Sequence, residues 1–250
     1  MLLHYFDNKK KGPVVFFIHG TASANGVWEA QYKLFSKLPY RLIGVDLRGH
    51  GNTRNPGGIC TLEDHLTDLK ETIDHLKLKK PIVIIGHSFG ALLATKYAER
   101  YPKKVSKLGL VSLPARVPRL LCLYYKWLLG KPIKFFKKKM DLVMKLPILK
   151  RYKFAIASDL NILRQIWRES LYWDLITKLP KVTCPIHFSV GKFDYIALRS
   201  LIEKLHKHIP NSTLKVFERA AHSCMEEQPH EFNQWVLSVV GVQNYQQDAV

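Results

Sequence analysis

A tight turn with the sequence GHSFG, residues 86–90, places a serine between an apolar run and a segment with helical periodicity. The run at 81–86 is rich in isoleucine and valine, which favours a buried strand. A helix is predicted over 89–101, where Pro102 stops it. A serine at such a strand-to-helix turn takes a strained backbone conformation and projects its hydroxyl above a sheet edge. The turn therefore predicts a sheet with helices packed against it.

The same alternation of apolar runs and helical segments continues along most of the chain. Strands are predicted at residues 13–18, 40–46, 81–86, 105–112, 185–190 and 213–218, and helices at 26–37, 61–76, 89–101, 196–208 and 229–240. The helix at 61–76 carries an N-terminal capping signal, because Thr61 is followed three residues later by Asp64. Strands that alternate with helices predict an α/β fold with a mostly parallel central sheet covered by helices.

The alternation is interrupted between residues 113 and 181. This segment shows no convincing strand, and prolines and a glycine divide it into several helical stretches, which predicts an inserted helical lid. The expected division is an α/β core of residues 1–112 and 182–242, a helical lid of residues 113–181 and a frayed tail of residues 243–250.

Composition limits the classes of protein that remain. The net charge of +19 indicates attraction for anions such as lipid headgroups, nucleic acid or acidic ligands. No apolar stretch approaches the roughly 18 residues of a membrane-spanning helix, and the N-terminus lacks the pattern of a signal peptide, which predicts a cytoplasmic location. The cysteines are scattered without metal-ligand spacing, so reduced thiols and no metal site are expected at Cys60, Cys122, Cys184 and Cys224.

Three side chains at predicted strand ends form a candidate catalytic triad. Ser88 is the candidate nucleophile, and a serine hydroxyl needs a base to take its proton. His222 lies in a loop between the last predicted strand and the last helix, where it could act as that base. Asp194 follows the strand at 185–190, where an acid could orient the imidazole. The carboxyl ends of parallel strands meet at one edge of a sheet, so these three side chains are expected to lie close together. The order Ser, Asp, His along the chain is one of the orders in which such triads occur.

Other polar residues at strand ends receive structural interpretations. Among the eleven histidines, His19 is expected to hold the following loop in shape, and His87 is expected to pack inside the turn. Asp46 also ends a strand, but Arg48 two residues later predicts a structural ion pair. Glu218, at the end of another strand, is an alternative acid.

Backbone N–H groups are the expected donors to the negative charge that develops on a reacting carbonyl. One N–H should come from Phe89, directly after the serine. The other should come from Thr21, because Gly20 allows the chain to turn tightly after the first strand.

Five features in a consistent order resemble the α/β-hydrolase superfamily. They are HG at 19–20 with Trp28 downstream, DLRGHG at 46–51, GHSFG at 86–90, GKFD at 191–194, and His222 followed by Glu227 and Pro229. They are similar to the lid-bearing branch of esterases, lipases and carbon–carbon bond hydrolases, in which the DLRGHG motif is usually a structural loop. The resemblance implies the following roles: nucleophile Ser88, acid Asp194, base His222, oxyanion donors Thr21 and Phe89, and nucleophile-turn residues Gly86, His87 and Gly90.

Three departures from that family pattern limit the fold variant and the activities that we expect. Only about a dozen residues precede the strand at 13–18, so the first edge strand should be missing or short. A serine rather than an aspartate at position 88 argues against epoxide hydrolases and haloalkane dehalogenases. The sequence TASANG at 21–26 stands where proline-selective peptidases often have Gly-Pro-Gly, which weakens a peptidase interpretation.

The predicted lid carries most of the excess charge. Residues 113–181 hold 16 Lys and Arg against 4 Asp and Glu, a net +12 of the total +19, interleaved with aromatic and aliphatic residues. One interpretation is peripheral association with an anionic membrane. The other is a lid whose apolar faces line an acyl pocket and whose lysines are solvated. A nucleic-acid partner is disfavoured because no recognised binding module accompanies the charge.

Together these features predict a serine hydrolase that cleaves carboxylic esters through an acyl-enzyme on Ser88. The expected substrate is a small molecule with an apolar, medium or long acyl chain, and no cofactor is implied. The alternatives are thioester hydrolysis or carbon–carbon bond cleavage by the same triad. A further alternative is a non-enzymatic ligand-binding or interaction protein on a hydrolase scaffold. The sequence does not indicate an oligomeric state.

Overall fold

The computed structural model describes residues 1–128, 154, 157–177 and 181–242. The strands are β1 Tyr5–Asp7, β2 Val14–Ile18, β3 Arg41–Val45, β4 Ile82–His87, β5 Val105–Val111, β6 Ile186–Gly191 and β7 Ser212–Phe217. The described α-helices are α1 Glu29–Phe35, α2 Leu62–His75, α3 Phe89–Arg100, α4 Arg119–Leu128, α5 Leu160–Ser170, α6 Arg199–His208, α7 Cys224–Glu227 and α8 Pro229–Val240. Single 3₁₀ turns precede α1 and β5, at Asn25–Trp28 and Pro102–Lys104.

The seven strands form one sheet in the order β1-β3-β2-β4-β5-β6-β7. Every pairing is parallel except that of β1 with β3, which is antiparallel. The predicted α/β fold with a mostly parallel sheet is thereby confirmed. The edge strand β1 has three residues, as expected for a short first strand. At the other edge, exposed residues on β7 alternate with partly or fully buried ones.

Helices cover both faces of the sheet because each helix buries one apolar side. On one face α1 and α8 pack against the sheet through residues such as Phe35 and Trp235. On the other face α2, α3 and α6 do so through Leu69, Leu92 and Leu205. Two buried clusters therefore flank the sheet, and the carboxyl ends of its parallel strands remain available for a site.

The capping signal before α2 has the predicted geometry. The backbone N–H of Asp64 donates to Thr61 Oγ1 over 3.3 Å, and the backbone N–H of Thr61 donates to the Asp64 carboxylate over 2.8 Å. These two bonds satisfy amides that a helix start otherwise leaves unpaired, so α2 begins directly after Thr61.

Two helices of the insertion, residues 113–181, are described between β5 and β6. Helices α4 and α5 pack together: the rings of Tyr125 and Trp167 stack at 4.1 Å, and Cys122 Sγ lies 3.3 Å from Ser170 Oγ. A backbone N–H of Leu175 donates to the carbonyl of Ala115 over 2.8 Å and ties the end of the insertion to its beginning.

Much of the insertion lies outside the described residues, including 129–153 with most of its lysines, and so does the predicted tail, 243–250. The division of the chain into core, lid and tail stays a prediction. No helix in the described part of the chain has the length and apolar character needed to cross a bilayer.

Candidate active site

Ser88 occupies the turn between the central strand β4 and helix α3. Its φ and ψ angles are 52° and −116°, a conformation rarely adopted by residues other than glycine, and its side chain is nearly buried. The backbone N–H of Ser88 donates to the carbonyl of Val111 on β5 over 2.9 Å, which holds the strained turn against the next strand. The predicted turn geometry is therefore present, with the hydroxyl at the amino end of α3.

The glycines of this turn lie where no side chain fits. A Cβ atom on Gly86 would collide with the carbonyl of Gly90, and a Cβ atom on Gly90 would collide with the carbonyls of Ile18 and His19. The backbone of α3 thus approaches the end of β2 directly, which brings the loop after β2 next to Ser88.

Asp194 and His222 meet at the carboxyl ends of β6 and β7. His222 Nδ1 lies 3.0 Å and 2.9 Å from the two carboxylate oxygens of Asp194. The backbone N–H groups of Ile196 and Ala197 donate to Asp194 Oδ1 over 2.9 and 2.8 Å. Three donors therefore fix the carboxylate, and the carboxylate fixes the protonated nitrogen of the imidazole at Nδ1.

The charge of Asp194 follows from these contacts. Burial raises the pKa of the carboxyl, but the His222 ring, the Ala197 N–H and the Ser112 hydroxyl lower it, and the net pKa lies below the usual value of 3.8. Asp194 is therefore a carboxylate at neutral pH, as a partner that stabilises an imidazolium must be.

A close approach of two loops brings His222 to Asp194. A Cβ atom on Gly191 would collide with the carbonyls of Ala220 and Ala221, so only glycine allows the two loops to touch at this point. The backbone N–H of Phe193 donates to the carbonyl of Ala220 over 3.0 Å. Together these contacts join the end of β6 to the loop that carries the histidine.

His87 links the loop of His222 to the turn of Ser88. Its Nε2 lies 2.8 Å from the carbonyl of His222, and the two rings lie 4.9 Å apart. Burial lowers the pKa of His87 to about 3, so the ring is neutral and Nε2 carries the proton that it donates. Sequence reasoning predicted packing for His87 and missed this bond, because its acceptor lies 135 residues away along the chain.

Ser88 Oγ and His222 make no hydrogen bond with each other in the part of the chain that the structure describes. The bond through His87 nevertheless holds the backbone of His222 beside the residue that precedes Ser88. In proteins without bound substrate, hydrogen bonds between nucleophile and base are often long and shorten when substrate binds.

Two backbone N–H groups beside Ser88 have no acceptor among the described residues. They belong to Thr21, in the loop after β2, and to Phe89, at the first position of α3. Thr21 and Ser88 line the same narrow cavity. Backbone N–H groups without an acceptor beside a nucleophile can bind an anionic oxygen, so this pair marks a candidate oxyanion site.

His19 shapes the loop that carries Thr21. Its Nε2 accepts from the backbone N–H of Leu47 over 2.9 Å, and its Nδ1–H donates to the carbonyl of Gly20 over 2.7 Å. Burial lowers its pKa to about 4, so the ring stays neutral and keeps both bonds. The predicted loop-holding role of His19 is confirmed.

The predicted ion pair between Asp46 and Arg48 is wrong. The Asp46 carboxylate accepts from the backbone N–H groups of Asn25 and Asn52, over 2.7 and 3.1 Å. The guanidinium of Arg48 instead makes two bonds, of 2.7 and 2.9 Å, to Asp68 on α2. Adjacency along the chain suggested the wrong partner, because the loop turns the two side chains to different neighbours.

The alternative acid Glu218 does not reach His222. Its side chain is 63% exposed, and its carboxylate pairs with Lys192 over 2.8 Å. Of the two candidate acids, the structure brings only Asp194 to the imidazole.

Apolar side chains surround the cavity at Ser88. Residues of the insertion supply one wall, and the loop after β6 supplies another; the lining comprises Pro114, Val117, Ile166, Trp167, Ser170, Trp173 and Ile196 together with Thr21 and Ser88. The ring of Trp173 stacks on that of Phe89 at 5.6 Å. The insertion is thus in direct contact with the turn that carries the serine.

Comparison with known proteins agrees with this architecture. The profile of the alpha/beta hydrolase family matches residues 15–235, and the chain belongs to that family. Human epoxide hydrolase 4 is 29% identical over 167 residues, which are 66% of this chain and 44% of that protein. The chain therefore spans less than half the length of this relative. Whether the chain belongs to the lid-bearing branch stays a prediction.

Two further proteins match over more of their length. The monoacylglycerol lipase ABHD6 of Bos taurus is 26% identical over 246 residues, 88% of this chain and 72% of that protein. A solved esterase from Exiguobacterium antarcticum superposes with a TM-score of 0.84 at 24% identity, covering 95% of each chain. The structural match shows the shared fold.

Proposed function

We propose that this chain is a serine hydrolase that cleaves carboxylic esters through an acyl-enzyme on Ser88. The observation that carries the proposal is the arrangement around the strained serine. Two backbone N–H groups without an acceptor among the described residues, those of Thr21 and Phe89, lie beside Ser88. The imidazole of His222, fixed by Asp194, follows β7 at the same edge of the sheet. A nucleophile, a base with a fixed tautomer and an oxyanion site are the three parts that acyl transfer needs.

In the proposed mechanism, Ser88 Oγ attacks the ester carbonyl while His222 Nε2 takes the hydroxyl proton. Asp194 stabilises the imidazolium, and the N–H groups of Thr21 and Phe89 bind the oxyanion. The imidazolium then protonates the leaving alcohol. Water, activated by the same imidazole, hydrolyses the acyl-enzyme and restores the serine.

The lining of the cavity supports an apolar acyl group as substrate. The insertion and the loop after β6 present tryptophan, isoleucine, valine and proline side chains to Ser88. Among the described residues of that lining, Thr21 and Ser170 are the polar ones besides Ser88. Apolar walls favour a hydrocarbon chain and exclude water from the acyl-enzyme. On the same ground we propose that residues 113–181 act as a lid. The similarity to a protein named epoxide hydrolase 4 does not change the proposal, because a serine rather than an aspartate at position 88 argues against epoxide hydrolysis by this chain.

The direct test is labelling with a fluorophosphonate probe, which reacts with activated serines. We expect the wild type to be labelled, Ser88→Ala to lose the label and Ser106→Ala, a variant of an exposed serine on β5, to keep it. A parallel panel of p-nitrophenyl esters of increasing acyl length, acyl thioesters and a ring-fission dienone identifies the bond that is cleaved. Retained labelling in Ser88→Ala would refute the proposed nucleophile. A wild type that neither reacts with the probe nor turns over any substrate would favour a binding protein instead.

His87 is expected to act as a positioning residue for His222. His87→Leu removes the hydrogen bond to the His222 carbonyl and should lower kcat/KM for the preferred ester by about tenfold, the effect of losing one buried hydrogen bond. His87→Gln carries an amide N–H at a similar reach and should restore kcat/KM to within about threefold of the wild type. If both variants lose activity equally while remaining folded by circular dichroism, the ring serves packing and not the hydrogen bond.

A further inference from the structure

Helix α4 presents a row of apolar side chains to solvent. Leu120, Leu123, Tyr124 and Trp127 are 82%, 56%, 52% and 65% exposed. Their spacing of three, one and three residues places them on one face of the helix, and this row is called the apolar stripe. Four large apolar residues side by side on a surface mark a site for a partner more often than scattered single ones do.

The opposite face of α4 is already occupied. Cys122 is buried against Ser170, and the ring of Tyr125 stacks on Trp167 with an angle of 9° between the ring planes. The packing against α5 therefore fixes α4 with its apolar stripe outward. Packing within the described part of the chain therefore gives no reason for the apolar character of the stripe.

The charge around the stripe favours one class of partner. Helix α4 contains Arg119 and Lys126 and no acidic residue, and the insertion as a whole has 16 basic against 4 acidic residues. A second copy of this chain is disfavoured as the occupant, because pairing two stripes would bring two insertions of net charge +12 together. An anionic lipid surface offers both an apolar layer for the stripe and negative headgroups for the basic side chains.

Helix α4 lies close to the cavity of the candidate active site through the face opposite the apolar stripe. Trp167, on which Tyr125 stacks, lines that cavity together with Ser88. The hydroxyl of Tyr125 also lies 3.4 Å from that of Tyr195, the residue after Asp194. A surface bound to the stripe would therefore be separated from the cavity lining by the thickness of α4.

We propose that α4 docks on anionic lipid membranes by inserting the apolar stripe at the boundary between headgroups and acyl chains. This property goes beyond the proposed hydrolysis and does not depend on it. It assigns a lipid surface, and not a protein, to the exposed face of the insertion.

Co-sedimentation of the full chain with vesicles tests the docking without any activity measurement. We expect the fraction bound to phosphatidylcholine vesicles with 30% phosphatidylserine to exceed that bound to pure phosphatidylcholine by at least about fivefold. The double variant Leu123→Ser with Trp127→Ser should lose binding to the anionic vesicles by at least about tenfold, because it removes two inserted apolar groups. The matched control Ile59→Ser removes an apolar side chain that is 85% exposed outside the insertion, and it should bind like the wild type.

Quenching by brominated lipid locates the contact. The wild type should lose tryptophan fluorescence on vesicles with brominated acyl chains, and Trp127→Phe should lose less because it keeps binding but lacks the inserted indole. Equal binding of the double variant and the wild type, or no binding of the wild type, would overturn the proposal. So would a dimer that the double variant dissociates in sedimentation velocity, since the stripe would then bind a second copy. The double variant should lose vesicle binding and keep the probe labelling of Ser88, which separates this test from that of the proposed function.

Discussion

Replacing Asp194 with Asn is expected to lower kcat for ester hydrolysis by about 10⁴-fold. The backbone N–H groups of Ile196 and Ala197 both donate to Asp194 Oδ1, so the amide oxygen of Asn must take that position. The amide NH₂ then faces His222 Nδ1 in place of the carboxylate oxygen at 2.9 Å. A donor at that place forces the proton of the imidazole to Nε2, where it blocks the transfer from Ser88. Steady-state kinetics with the preferred ester measures the effect.

Glu218→Gln is the matched control for this experiment. Glu218 also follows the end of a strand, but it is exposed and pairs with Lys192, so its loss should leave kcat unchanged. A large effect of Glu218→Gln together with a small effect of Asp194→Asn would contradict the assignment of Asp194 as the acid. Glu218 would then be the acid that orients His222.

The lowered pKa of Asp194 also gives a sign to the pH dependence of stability. Because the pKa of the folded state lies below the usual 3.8, the ionised carboxylate stabilises the fold above that value. This contribution disappears as the pH falls through the lower folded pKa. In Asp194→Asn this contribution to the free energy of unfolding should be absent, so the stability of the variant should fall less as the pH is lowered. Urea unfolding at several pH values between 2 and 6 measures the difference.

Asp68→Ala is expected to lower the free energy of unfolding by about 3–5 kcal/mol. The side chains of Asp68 and Arg48 are 1% and 11% exposed and are joined by two hydrogen bonds. Removing the carboxylate leaves a largely buried guanidinium without its partner, and that partly desolvated charge is what destabilises the fold. Equilibrium unfolding in urea gives the difference.

A second arginine pair on the same helix provides the comparison. Arg100 makes two bonds, of 2.7 and 2.9 Å, to Glu63 of α2, but these side chains are 47% and 63% exposed. Water replaces the lost partner at such a site, so Glu63→Ala should lower the free energy of unfolding by less than about 1 kcal/mol. Equal effects of the two variants would show that burial does not determine the strength of these pairs.

Periodicity in the sequence was enough to predict the six parallel strands, and the GHSFG pattern between a strand and a helix predicted the turn of Ser88. Once the carboxyl ends of those strands were known, parallel topology required Asp194 and His222 to lie at the same edge of the sheet. The edge strand β1 was expected only as missing or short, because three residues show no measurable alternation and the strand exists through its pairing with β3.

Contacts between distant side chains were not predictable in this way. Arg48 pairs with a residue 20 positions away and not with its near neighbour Asp46, and the bond from His87 reaches across 135 residues. The hydrogen-bond partners of these side chains depend on the conformation of loops at the sheet edge. Neither the hydrophobic pattern nor the residue spacing determines that conformation.

The position of β7 at the edge of the sheet means that Ser88 and His222 should respond differently to local unfolding. Ser88 follows the central strand β4, which is buried along its length, whereas His222 follows β7, which has a neighbour on one side only. Local opening usually starts where fewest contacts must break. Fraying of β7 would therefore withdraw the proposed base while the proposed nucleophile kept its place, so the proposed hydrolysis should stop before the core unfolds.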